Sequence, residues 1–316
     1  MAAPVEKIIA GLADENEPVL NAELAELSNL NQDGMKVFQA YWANLSPERK
    51  KQIIERLLEL AENSVELNFD SIFRYCMEDE NAGVRGRAIE GLWENEETSL
   101  ISSLIKILEN DISEEVQAAA AVALGKFVLL AEHNKLRSSY AEKIQKALLA
   151  AITDDGKGAE VSRRALEAAS PMSLPEVQEA IKEAYKSGNS GLKASSIYAM
   201  GRSYDSVWLP VLLQELSNAD AEIRYEAAGA CGELEEEGAV PYLVTAAGND
   251  TDIDVRLAAV QALGKIGNTQ ARDYLKKCRE SSNAAIRDAA EQALNEIGMM
   301  EERLTFVEWE RQQDDS

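Results

Sequence analysis

From residue 82 onward the chain repeats one arrangement of apolar and polar positions. An apolar anchor recurs as Val84, Val116, Val161, Leu192, Ile223, Val255 and Ile286, at intervals of 32, 45, 31, 31, 32 and 31 residues. A period near 30 marks stacked repeats. Four residues after each anchor stand Ala88, Ala120, Ala165, Ser196, Ala227, Ala259 and Ala290. Seven after it stand Gly91, Ala123, Ala168, Ala199, Ala230, Ala262 and Ala293, and eight after it Leu92, Leu124, Ala169, Met200, Cys231, Leu263 and Leu294. These offsets share one helical face. The face is apolar and small at its middle, which lets a neighbouring helix come close. Gly125, Gly201, Gly232 and Gly264 follow one residue later, near the expected helix end, a common place for glycine.

A second apolar helical run precedes each of these helices, as in 99–110, 175–186, 207–218 and 271–280. A polar turn joins the two, for example Asn249-Asp250-Thr251-Asp252. The predicted unit is helix, short turn, helix. With an Asp-containing turn before DVRLAAVQALGKIG (254–267), the unit resembles the HEAT repeat, especially the short form of phycobilin-lyase-like proteins. The resemblance covers roughly 66–298. It is strongest in the last three copies and weakest at 161–172, where Ser162 replaces the arginine and Pro171 closes the helix. It implies an all-α fold, an α-α superhelix or α-solenoid of about seven to eight helix pairs, whose second helices line the concave side. Tetratricopeptide repeats share the period, but their Trp-Leu-Gly-Tyr pattern is missing.

The flanks depart from the pattern. Residues 1–33 hold two short amphipathic runs, Val5 to Leu12 and Pro18 to Leu30, read as an amino-terminal helical cap or a loose segment. Residues 34–298 form the repeat solenoid. It opens on a degenerate pair, 34–45 and 46–63, with Ser46 as N-cap and Pro47 at the first helical position. Phe38, Tyr41, Trp42 and Leu45 make one apolar stripe there, read as core. The 45-residue interval carries extra length around 127–137, which extends a helix and adds a loop containing His133, and around 153–158. Loose stacking is expected near 152–175. Residues 299–316 are read as a closing helix, with Leu304, Val307, Phe306 and Trp309 toward the last repeat, and an acidic tail; terminal repeats need such a cover.

Charge narrows the functions. Lys and Arg number 32 against 56 Asp and Glu, a net −24. Nucleic acid and anionic membranes are disfavoured, because phosphate binding needs clustered cations; a basic protein or peptide is favoured. Cys76, Cys231 and Cys278 are far apart, with Cys231 in a core column, which suits reduced thiols and a cytoplasmic chain. No signal peptide and no membrane-spanning run is expected, and a monomer is.

No catalytic, metal or cofactor set emerges. Deoxyhypusine hydroxylase, a HEAT-repeat di-iron enzyme, uses several His-Glu pairs; this chain has one histidine, His133, followed by Asn134, which excludes that enzyme. A hydrolytic triad would have to use the same His133, and GxSxG and P-loop patterns are absent. Arg85, Arg224, Arg256 and Arg287 follow their anchors, with Lys193 in another copy, and Asp79, Asp220 and Asp254 lie shortly before three of them. The resemblance assigns such pairs to a structural ladder between turns: Arg85, Arg224, Asp254, Arg256 and Arg287.

Offsets 2, 6 and 9 or 10 should face the concave side. They give Glu90, Trp93, Val122, Arg163, Glu167, Tyr198, Arg202, Tyr225, Glu233, Leu257, Gln261, Asp288 and Gln292. Trp93, Glu90, Tyr198, Arg202, Tyr225, Glu233, Leu257 and Gln261 are the candidate partner-binding residues, since aromatics amid carboxylates are the usual composition of protein-binding hot spots. A scaffold or adaptor without enzymatic activity is therefore expected. The alternatives are a phycobilin-lyase-like or chaperone-like accessory protein and, third, a HEAT-like DNA-repair glycosylase, which the acidic balance disfavours.

Overall fold

A computed structural model describes the backbone of residues 5–314 except 16 and 155, and the side chains of 6–299 within that range. The fold is all-α, and no strand occurs among the described residues. Eighteen α-helices follow in order: α1 Val5–Leu12, α2 Asn21–Ala25, α3 Gln32–Trp42, α4 Pro47–Asn63, α5 Asp70–Cys76, α6 Ala82–Gly91, α7 Ser99–Asn110, α8 Glu114–Glu132, α9 Ser138–Thr153, α10 Ala159–Ala169, α11 Pro175–Lys186, α12 Ser190–Arg202, α13 Leu209–Glu215, α14 Ala221–Leu234, α15 Val240–Asn249, α16 Ile253–Ile266, α17 Thr269–Cys278 and α18 Ala284–Asp314. From α3 on they read as eight helix pairs of the α-solenoid class. Two compact units divide the chain, Met1–Ala168 and Ala169–Ser316, with the boundary inside the stretch expected to be loosely stacked.

The turns between paired helices use one device. The side chains of Asp79, Asp111, Asp154, Ser187, Asn218, Asp250 and Ser281 each accept a hydrogen bond from the backbone N–H two residues on. Such local turns compete with helix and so stop one helix before the next begins. The residues two further on then cap the second helices: Asn81, Asn189, Asp220, Asp252 and Asn283 each accept from a backbone N–H in the first turn. Ser46 caps α4 in the same way, with Pro47 behind it.

In the first unit α4, α6 and α8 lie side by side, with α5 on α6 and α7 on α8. Phe38 and Trp42 are buried and stacked, while Tyr41 and Leu45 are half-buried. The amino-terminal runs are packed: α1 lies on α3 and α2 on α4, and Leu24 and Leu27 are fully buried. Arg49, itself buried, holds the end of α1 by donating to the carbonyls of Leu12 at 2.8 Å and Asp14 at 3.0 Å. The extra length near residue 127 extends α8 to 19 residues, and a loop carrying His133 follows.

In the second unit α12, α14, α16 and α18 pack side by side as one layer, with α11, α13, α15 and α17 each against its own partner. Gly201, Gly232 and Gly264 lie within two residues of the ends of α12, α14 and α16, as expected, and they also serve this layer. A Cβ on Gly201 would lie 2.6 Å from the Cα of Ala230, one on Gly232 2.7 Å from that of Ala262, and one on Gly264 2.7 Å from the Cβ of Ala293. Each glycine is thus the seat for the alanine seven residues past the next anchor. Gly267, at φ +59°, ends α16 in the left-handed conformation. The closing segment is not a separate element, because α18 continues without a break through Gly298. The expected Leu304–Trp309 stripe lies outside the described side chains.

Candidate interaction surface

Close packing of α12, α14 and α16 leaves a shallow groove of about 260 Å³ on their open face. Its floor is small, with Gly229, Ala230, Ala258 and Ala262, because those positions belong to the columns that let the helices approach. Its walls carry Tyr198, Tyr225, Glu226, Glu233, Gln261 and Lys265. Four of the residues chosen from the offsets therefore meet at one place: Tyr198, Tyr225, Glu233 and Gln261. Tyr198 and Tyr225 keep 40% and 44% of their surface exposed, although they extend from helices whose other faces are buried. Leu257 is half-buried and does not line the groove.

The charges here are organised. Glu233 lies between two cations: Arg202 Nη1 is 3.3 Å from its Oε2, and Lys265 Nζ pairs with its Oε1. Arg202, Glu233 and Lys265 all stand ten residues after their anchors, so stacking three helices sets them in a row. Glu233, a candidate partner-binding residue, is thus largely neutralised by this row. The carboxylates of the neighbouring turn are more open, and Glu235 is exposed at φ +54°. Glu226, three residues after its anchor, falls outside the chosen offsets; Lys265 stands at offset 10 but is not among the candidates, although column 10 read across copies holds alternating charge, a signal that could have found it.

In the first unit Trp93 is 67% exposed and Val122 56%, and Glu90 is exposed and paired with Arg87 at 2.7 Å. Trp93 sits two residues beyond α6 and not on it. Its carbonyl accepts a hydrogen bond from Lys126 Nζ, which also takes the carbonyls of Leu92 and Asn95. Lys157 does the same for Leu108 and Glu109. These lysines close helix ends, which otherwise leave carbonyls unpaired.

The arginine ladder exists with different partners from those expected. Arg85 Nε and Nη2 grip Asp111 at 2.8 and 2.6 Å, and Arg224 grips Asp250 at 2.7 and 2.9 Å. In both, Nη1 donates to the carbonyls five and six residues back, of Asp79 and Glu80 in one and Asn218 and Ala219 in the other. The carboxylate thus comes from the turn 26 residues ahead, because that turn stacks over the arginine, and not from the preceding Asp79 or Asp220. Asp254 is exposed and is no rung; its N–H merely meets the Asp252 cap. Asp79 instead accepts from Trp42 Nε1 at 2.7 Å and Lys50 at 2.9 Å. Where lysine replaces arginine, Lys193 reaches buried Glu215 at 2.9 Å, and Tyr185 and Asn218 complete its shell. Burial, reinforced by Glu215, pushes the Tyr185 hydroxyl up to about 12. Arg287 donates to the carbonyl of Ser281, and Arg256 Nε to that of Ala247.

Among the described residues no three His, Cys, Asp or Glu side chains gather as a metal ion would require, and no helix is long and apolar enough to cross a membrane. All three cysteines are free and buried.

Paired helices, stacked second helices and turn-to-turn ladders define a repeat protein of the α-solenoid class. Residues 209–295 match the family model for HEAT repeats, so the repeats recognised from their residues are HEAT repeats over that segment. No curated protein matches the sequence. Among solved structures, the complex of CpcE and CpcF of phycocyanin lyase from Nostoc sp. is similar at TM-score 0.53 and 17% identity, over 90% of this chain and 97% of that one. YibA of E. coli aligns at TM-score 0.48 and 16% identity, over 88% and 98%. Human deoxyhypusine hydroxylase aligns at TM-score 0.32 and 18% identity, over 93% and 96%. These likenesses concern the fold.

Proposed function

We propose that the chain is a scaffold or adaptor without enzymatic activity, and that the second unit's concave groove takes a segment of a basic protein or peptide. The observation that carries this reading is the pair Tyr198 and Tyr225, two large side chains left half in water above a floor of alanine and glycine. Aromatic rings on a rigid helical layer suit anchoring at little entropic cost. The net charge of −24 would draw a basic partner and speed encounter. Because Arg202 and Lys265 already hold Glu233, the steering charge is assigned to Glu235 and Glu236.

The test is an affinity purification from native lysate, run in parallel with the wild type and with Tyr198→Ala/Tyr225→Ala at low and high salt. A basic protein retained at low salt by the wild type, and lost from the double variant, supports the reading. Equal retention by both proteins overturns it.

A phycobilin-lyase-like accessory role is the second reading, supported by the fold shared with the CpcE–CpcF complex. It predicts a shift in bilin absorbance on mixing with the purified chain; an unchanged spectrum removes it.

A further inference from the structure

The ladder has one open rung. Arg85 and Arg224 are each gripped by an aspartate of the following turn. The equivalent position for Arg256 is Ser281, 25 residues on. Two observations identify it: Ser281 Oγ accepts from the N–H of Asn283 at 3.2 Å, as Asp250 accepts from Asp252, and its carbonyl accepts from Arg287, as that of Asn218 does from Arg224. A serine hydroxyl brings no charge, and Arg256 turns away; among the described residues its guanidinium makes one hydrogen bond, from Nε to the carbonyl of Ala247 at 3.0 Å. The surroundings are unusual for this acidic chain. Residues 255–287 hold seven basic side chains (Arg256, Lys265, Arg272, Lys276, Lys277, Arg279 and Arg287) against two acidic ones, Asp273 and Glu280. Lys276, Lys277 and Arg279 are exposed on the amino-terminal side of Ser281, where a basic-directed protein kinase would read them.

We propose that Ser281 is a phosphorylation site and that its phosphoryl group closes the open rung on Arg256. In the transfer, Ser281 Oγ bonds to the γ-phosphorus of a nucleoside triphosphate held by a protein kinase. The β,γ-bridging P–O bond breaks, the nucleoside diphosphate leaves, and the hydroxyl proton passes to the kinase's base. The product carries about −1.5 to −2 of charge and oxygens placed to accept a two-pronged guanidinium. It stands where Asp111 and Asp250 stand in the closed rungs. A phosphoserine reaches one bond further than an aspartate, which suits a turn that arrives one residue early. Arg256 then leaves Ala247 and joins α16 to the turn ahead of α18.

The experiment uses the full chain with phosphoserine installed at position 281 by genetic-code expansion, compared with the unmodified protein and with phosphoserine at 282. Phosphoserine at 281 should raise Tm by about 3 °C and slow amide exchange in the first turns of α18. Arg256→Gln should cancel that gain, and the 282 form should show none that depends on Arg256. Mass spectrometry of the chain purified from its source cells should find phosphate on Ser281. A gain that is missing, or that survives in Arg256→Gln, overturns the ladder role; a Ser281 without phosphate in native protein under every growth condition overturns the modification.

Discussion

The two units are made from the same repeat and spend it differently. In the second, intervals of 31 or 32 residues keep every copy in register, so Gly201, Gly232 and Gly264 each meet an alanine of the next second helix. Backbones touch, and the large residues at other offsets are left outside, where Tyr198 and Tyr225 wall a groove. In the first unit the register is looser. A Cβ at Gly125, the equivalent glycine, would stand 3.3 Å from Ala168 Cβ against 2.6–2.7 Å for the nearest atoms in the second unit, and lysines 126 and 157 reach across to close neighbouring carbonyls. The lesson is that regular spacing produces the candidate site: the same tyrosines on unevenly spaced helices would fill gaps.

The strongest way to break this difference is to open a closed rung. Asp250→Ala leaves Arg224, whose side chain is 13% exposed, without its partner, and should destabilise the second unit by about 3 kcal/mol in chemical denaturation. Asp254→Ala, at an exposed site, should stay within about 0.5 kcal/mol. Next comes the glycine contact. Gly232→Ala should cost about 2 kcal/mol by overpacking against Ala262. Gly229→Ala, with nothing within 4 Å of the new Cβ, should instead gain about 0.5–1 kcal/mol from helix propensity.

Acid titration sharpens the comparison further. The Arg224 hydrogen bonds hold Asp250 below the ordinary carboxylate range against the opposing effect of burial. For Asp111 burial is the largest influence and would raise it, but the bonds from Arg85 and Ser113 outweigh burial and leave it lowered. A carboxylate depressed in the folded state stabilises above its unfolded pKa, near 3.9, and loses that contribution as pH falls through the folded value. Stability should therefore fall below about pH 4, and Asp250→Asn should flatten that fall, as read by Tm against pH. Tyr198→Ala/Tyr225→Ala should also change folding little, within about 1 kcal/mol in all. The same pair should weaken partner binding by more than about 30-fold if both are anchors.

Much of the fold was legible in the chain because it is local. The runs at 99–110 and 175–186 coincide with α7 and α11, and the Ser46-Pro47 start is where α4 begins. The offsets that left Tyr198, Tyr225 and Gln261 exposed follow from helical geometry alone. What escaped depends on stacking. The partner of Arg224 is 26 residues away, so only the stacked turns reveal that Asp250 rather than Asp220 receives it. The glycines do stand near helix ends, but their second role escaped, because a single helix carries no trace of its neighbour's alanine. The pairing of Glu233 is likewise a product of stacking, since Arg202 and Lys265 come from the helices on either side.

The most direct test of the central claim is site-specific photo-crosslinking in native lysate. A photoreactive phenylalanine analogue would replace Tyr198, Tyr225 or, as control, Tyr242, which is 51% exposed on the first helix α15. The groove reading predicts that probes at 198 and 225 capture the same basic protein, that high salt reduces the yield, and that the probe at 242 does not capture it. Capture at 242 with none at 198 and 225 would contradict it.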